Sequence, residues 1–177
     1  MNEGTIQPLE GRSLVRFERR YPHSVERVWA ALTEPDQLRQ WFGEGDVELE
    51  LVEGGRFDVV TTGPAELVGA MIEFGGGEEA LERHDTVLQV DPPRLLEHTF
   101  YGGESVVRWE LQPDGDGCLL RLTHTMGAPV GPDSPKALAG WHTLLDLLGP
   151  VLDGAPEPWT RAGWDRNHEI YLERAGR

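Results

Sequence analysis

Apolar positions first fall into register between Ser24 and Phe42, where SVERVWAALTEPDQLRQWF reads as two short amphipathic helices joined at a proline. Val25, Val28, Trp29 and Leu32 recur at helical spacing and make one buried stripe. Ser24 is placed to cap free backbone N–H groups, and Glu26 sets a negative charge in the positively polarised first turn. Pro35 ends that helix, because it lacks an amide hydrogen and biases Glu34 away from the helical region, yet it suits the first turn of the next. Leu38, Trp41 and Phe42 form the second stripe. The pair is a packing element, with Trp29 and Trp41 expected in the core.

Around this pair the period drops to two. Leu14, Arg16, Glu18 and Arg20 share one face and Val15 and Phe17 the other, as in an edge or half-exposed strand. Val47 to Leu51 alternates strictly, Gly54-Gly55 is a hairpin signal, and Arg56 to Thr62 returns with Phe57, Val59 and Thr61 on one face. Thr86, Leu88 and Val90 alternate until Asp91-Pro92-Pro93 forces a turn. Leu96, His98 and Phe100 define the next face, and Val107, Trp109 and Leu111 another. After the turn residues Pro113 to Gly117, Leu120, Leu122 and His124 continue the return strand. Strands in succession with short turns give an antiparallel sheet. Between the two halves, Gly63 to Arg83 reads as a strand at Glu66 to Phe74, a loop at Gly75 to Gly77 and a helical turn at Glu78 to Arg83. Met1 to Gly11 reads as a flexible arm.

The last third is helical. Ser134-Pro135 opens a helix in which Leu138, Trp141, Leu144, Leu145, Leu148, Val151 and Leu152 make a wide apolar stripe, with a kink expected at Gly149-Pro150. Pro156 and Pro158 set off a final helix with Trp164, His168, Tyr171 and Leu172 on one face. The expected architecture is α+β, with a curved antiparallel sheet wrapped around the long helix and the helix pair closing one end. Residues 12–155 form that domain, and residues 156–177 add a helix packed on it. Trp159, Trp164 and Tyr171 either cover the sheet or make a homodimer contact.

Composition narrows the partners. At 177 residues and 38% hydrophobic content the chain fits one domain. Its formal charge of −15 opposes a nucleic-acid partner, which needs clustered cations. No run approaches the roughly 18 apolar residues of a membrane helix, and MNEGTIQPLEGR lacks a signal-peptide pattern, so a cytoplasmic location is expected. The single cysteine, Cys118, excludes an internal disulfide and a cysteine-based zinc cluster. Lys136 is the sole lysine among the 16 basic residues, a bias that suits a GC-rich bacterial genome.

Candidate chemistry is sparse. Gly75, Gly77 and Ala80 satisfy G-x-G-x-x-A, but the next strand follows too soon for a dinucleotide-binding helix. Asp114 and Asp116 start like a calcium loop, whereas Thr125 stands where its closing Glu belongs. The six histidines lack the close helical pairing of zinc sites, so neither metal nor cofactor is expected. His23, His142 and His168 read as surface or satisfied structural residues. His84, His98 and His124 fall on apolar-facing strand positions. No nucleophile elbow or catalytic-cysteine context is present, and no residue is assigned a catalytic role.

FERRYPHSVERVWAALTEPDQLRQWF, GGRF, VLQVDPPRLLEHTF, the pair VVRWEL and LLRLTHT, and GWHTLLDLL together resemble the START-like, Bet v-like (SRPBCC) superfamily. The branch is the one similar to the C-terminal domain of activators of the heat-shock-protein-90 ATPase. The resemblance runs from about Phe17 to Leu148. It implies a helix-grip fold, often with an apolar cavity between sheet and long helix that binds hydrophobic molecules. The connection Gly63 to Arg83 and the helix after Pro158 depart from the family pattern.

A small hydrophobic ligand is the favoured partner. The expected lining is Phe57, Val59, Leu88, His98, Phe100, Trp109, Leu122, His124, Trp141 and Leu145; for His98 and His124 a structural, hydrogen-bonded role is favoured over one as polar anchors of the pocket. Sheet parity predicts inwardness only, so these residues either wall a pocket or fill the core. A chaperone-ATPase activator-like protein-binding domain and a cyclase- or hydrolase-like enzyme are the alternatives.

Overall fold

The computed structural model describes residues 2–43, 45–75 and 77–176; Met1, Gly76 and Arg177, which fall in the expected arm, glycine loop and final helix, lie outside the described residues, as does Glu44. Among the described residues, eight strands form one antiparallel sheet. These are β1 (Thr5–Leu9), β2 (Arg12–Tyr21), β3 (Gly45–Leu49), β4 (Arg56–Thr61), β5 (Glu82–Asp91), β6 (Leu95–Thr99), β7 (Val106–Asp114) and β8 (Gly117–Met126). Their spatial order is β1-β2-β8-β7-β6-β5-β4-β3. The helices are α1 (Val25–Thr33), α2 (Pro35–Leu38), α3 (Ala65–Gly75), α4 (Ser134–Leu152) and α5 (Arg161–Ala175). The long helix α4 packs against α1, α5, β1 and β2, which is the helix-grip arrangement.

The helix pair is built as its sequence dictates. The Ser24 hydroxyl accepts the Arg27 amide, and Pro35 opens α2. Pro35 also leaves the Ala31 carbonyl without its usual partner, since residue i+4 has no N–H to give. The Trp41 indole supplies one instead, donating to Ala31 O at 2.9 Å. Arg27 then ties the pair to the long helix through a 2.8 Å bond to the Val151 carbonyl. Trp41 is fully buried, whereas Trp29 is only half-buried against the core, at odds with the expectation.

Four expectations change. Residues 5–9 are a strand rather than part of a loose arm, pairing with β2 along their whole length. The Gly4 amide donates to the Tyr171 hydroxyl at 2.9 Å, so the strand is tied to α5 as well. That added strand makes β2 interior rather than an edge. Residues 65–75 form a helix, not a strand; Leu67, Ala70, Met71 and Phe74 stand at i, i+3, i+4 and i+7. The helical turn expected at Glu78 is there, as a short 3₁₀ turn over Glu78–Leu81. In β5 the register shifts between Val87 and Gln89. Arg83, Asp85 and Val87 point inward, while His84 and Leu88 are exposed, reversing the expected parity. Helix α4 includes Pro150 and extends to Leu152. Pro150 sits in its last turn, where few hydrogen bonds remain to be lost.

The final helix packs against α4 and α3. Trp159, Trp164 and Tyr171 are all buried in the single chain. Beneath α5, the His142 ring hydrogen-bonds the Tyr171 hydroxyl at 2.9 Å, and Asn167 donates to Thr143 and Asp146. Leu172 is exposed, off the face it was expected to share.

Candidate functional site

The interior divides into a filled half and an open half. In the filled half, Phe57, Trp109, Leu122, Leu145 and His98 are almost completely buried. His98 is held on both ring nitrogens: Nε2 accepts the Trp109 indole N–H at 3.1 Å, so Nδ1 carries the proton and donates to the Thr99 carbonyl at 2.6 Å. Burial pushes its pKa down to about 3. Phe57 meets the ring edge-on at 4.8 Å between centroids. This is a satisfied core histidine.

On the other side of Trp141 lies a cavity of about 580 Å³. Its floor is sheet, with Val59 and Thr61 of β4, Arg83 of β5, and His124 and Met126 of β8. Its walls are Trp41 and Phe42 after α2, Phe100 after β6, and Ala137, Gly140, Trp141 and Leu144 of α4. Its roof is α3, which turns Leu67, Ala70, Met71 and Phe74 toward the space, joined by Trp159 and Trp164. The roof is fastened to α5: Phe74 stacks on Trp164 at 4.2 Å, and Glu73 pairs with Arg161 at 3.0 Å. Among the lining residues, Tyr101, Asp133 and Lys136 are exposed and mark the mouth. Gly140 matters to the volume, for a Cβ built there meets nothing within 4 Å.

The lining is not wholly apolar: Thr61 and Ser105 contribute hydroxyls, and His124 and Arg83 bring buried nitrogen groups. His124 Nδ1 accepts the Trp141 indole N–H at 2.9 Å, so the neutral ring keeps its proton on Nε2. That Nε2 is buried without a hydrogen-bond partner among the described residues. Burial, helped by the nearby Arg83 charge, lowers the His124 pKa to about 4. Arg83 is 7% exposed and sits in an aromatic box, its guanidinium 4.7 Å from the Phe42 centroid, 4.5 Å from Phe100 and 5.4 Å from Tyr101. Desolvation lowers its pKa. The adjacent Asp85 carboxylate lies 3.8 Å from Arg83 Nε and accepts from Thr99 Oγ1 at 3.1 Å; burial raises its pKa.

Of the ten residues expected to line a pocket, Val59, Phe100, His124 and Trp141 border the cavity. Phe57, His98, Trp109, Leu122 and Leu145 belong to the filled core beside it, and Leu88 lies on the outer face beyond the β5 bulge. The α3 lining and Arg83 escaped the sequence reading. The signal for Arg83 was its two-residue spacing from Asp85 and Val87, which is that of one strand face. Among the described residues no three His, Cys, Asp or Glu side chains converge as metal ligands, and no helix is long and apolar enough to cross a membrane.

Solved structures share this architecture. EF2215, a conserved protein of unknown function from Enterococcus faecalis, matches with a TM-score of 0.71 at 21% identity, over 98% of this chain and 90% of that one. CalU16 from Micromonospora echinospora matches at 0.67 and 24% identity, over 99% and 98%. The protein encoded by BPP1335 of Bordetella parapertussis matches at 0.68 and 27% identity, over 98% and 93%. No functionally curated protein matches the chain. The family described as activator of Hsp90 ATPase homolog 1-like protein matches residues 22–153, from just before α1 to the end of α4. The chain therefore belongs to the activator of Hsp90 ATPase homolog 1-like family, on the helix-grip fold common to SRPBCC-type proteins.

Proposed function

We propose that this protein binds a small, largely hydrophobic molecule in the cavity bounded by α3, α4 and the sheet. The observation that carries this reading is the cavity itself, about 580 Å³ with mostly apolar walls, next to a cluster of almost completely buried side chains. Protein interiors pack as tightly as organic crystals, and a void of this size forfeits contacts that larger side chains would make. Its volume lies within the roughly 300 to 1,000 Å³ typical of small-molecule sites. Gly140 on the cavity wall supports the same reading, because a glycine inside a helix costs about 0.5–1 kcal/mol relative to alanine. Catalysis is the weaker reading: His98 has both nitrogens engaged, and His124 has one tied to an indole.

The test replaces Gly140 with Phe. The new ring enters open space, so the unliganded variant should gain about 2–4 kcal/mol from helix propensity and apolar burial. It should also lose binding. A thermal-shift and calorimetric panel of decanoate, dodecanoate, naphthoate and their matched alcohols, decanol, dodecanol and naphthalenemethanol, should show ligands that stabilise the native protein and fail to stabilise Gly140→Phe. Absence of any stabilisation of the native protein, or equal stabilisation of the variant, overturns the reading.

A further inference from the structure

We infer that the ligand of this cavity is a hydrophobic acid, whose single carboxylate docks on the Arg83 guanidinium with His124 Nε2 as a second donor. The inference rests on the cavity being a ligand site. Arg83 lines the cavity, is 7% exposed, and faces the Asp85 carboxylate across 3.8 Å from its Nε, the Asp85 Oδ2 being buried without a hydrogen-bond partner among the described residues. A guanidinium carries five N–H donors, more than the single Asp85 carboxylate at its Nε edge can engage. Phe42 and Phe100 stabilise the cation through their ring faces but accept no conventional hydrogen bond. Asp85 approaches the Nε edge at 3.8 Å, beyond hydrogen-bond distance, leaving the paired Nη groups unmatched. Those groups form the planar fork that fits a carboxylate with two parallel bonds.

His124 sharpens the choice of ligand. With Nδ1 occupied as an acceptor, its ring offers the cavity only an N–H, and that nitrogen is unpartnered. Arg83 and His124 are thus both donors, and the group that satisfies them must be an acceptor. Asp85 balances most of the Arg83 charge, which favours a monoanion over a doubly charged phosphate. The apolar remainder of the ligand follows from the aromatic and aliphatic walls. At the mouth, Lys136 is paired with Asp133 at 2.9 Å and adds no net charge.

A purely structural Arg83 and an acid-binding Arg83 differ in one substitution. Arg83→Met keeps much of the length and removes the charge and donors. With nothing bound, its melting temperature should fall below that of the native protein, since the buried Asp85 carboxylate loses its counter-charge. Calorimetry should show decanoate and naphthoate binding the native protein roughly tenfold or more tightly than decanol and naphthalenemethanol. Arg83→Met should bring acids down to the level of the alcohols while leaving the alcohols within about twofold. Arg83→Lys, which keeps the charge without the fork, should fall between, and it provides the comparison if the Met variant does not fold. Acids and alcohols binding the native protein equally, or an acid preference unchanged in the substituted protein, overturns the inference and leaves the hydrophobic site standing. Failure of every probe to bind the native protein overturns the site as well.

Discussion

Acidification from neutral pH to about 4.5 is expected to remove most of the protein's stability before the bulk of its carboxylates titrate. The cause is buried neutral imidazole. His98 and His124 have folded pKa values lowered to about 3 and about 4 from an ordinary 6.5, and His142 is shifted in the same direction by burial. Between those values and 6.5 the unfolded chain takes up protons that the folded chain refuses, so stability is fully present above 6.5 and falls as the pH drops. Each such group contributes up to about 1.4 kcal/mol per pH unit, and His98 and His124 together about 3, against a total stability of about 5–15 kcal/mol. Asp85 works in the opposite sense, because its raised pKa lets the folded state gain a proton first. One carboxyl does not offset the histidines. Urea unfolding at a series of pH values checks this, using a His98→Gln, His124→Asn double variant that retains acceptors for the Trp109 and Trp141 indoles. The double variant should show a much shallower decline; parallel profiles for the two proteins would contradict the assignment.

Trp41→Ala should cost about 3–5 kcal/mol, enough to unfold a marginal domain at physiological temperature. The ring is 1% exposed and packs 5.1 Å from Phe42 and 5.9 Å from Trp109. Its removal joins a new void to the existing cavity and leaves the Ala31 carbonyl bare, because Pro35 has no amide to replace the indole. Trp41→Phe separates these effects: it keeps most of the packing and should lose about 1 kcal/mol for the hydrogen bond alone. Chemical denaturation of both variants measures the difference, and a Phe variant as unstable as the Ala variant would contradict this division.

Periodicity carried most of the fold, and it failed where local geometry interrupted the period. The helix pair, the strand succession from β3 to β8 and the long α4 each show several consecutive matches to one spacing, so they are readable from the chain alone. In α3 the stripe Leu67, Ala70, Met71 and Phe74 was present, but the flanking Gly and Pro residues broke it into pieces that resembled a short apolar strand. In β5 a single bulge reversed the parity of Leu88, and with it the placement of Arg83. Strand β1 carries few buried apolar residues, its order coming from pairing with β2 and from Tyr171. Inwardness of Trp141, Phe100 and His124 was legible; which inward residues border empty space was not. That depends on side-chain volumes summed across elements distant in sequence, such as Gly140 against α3.

The most direct test is a nitrogen–proton spectrum of the six tryptophan indoles during titration with dodecanoate. Trp41, Trp141, Trp159 and Trp164 border the cavity, whereas Trp29 and Trp109 do not. Ligand entering beneath α3 should move the indole signals of the first group, with Trp141 prominent through its bond to His124, and leave Trp29 in place. Indole signals that stay fixed while dodecanoate binds elsewhere would contradict the account.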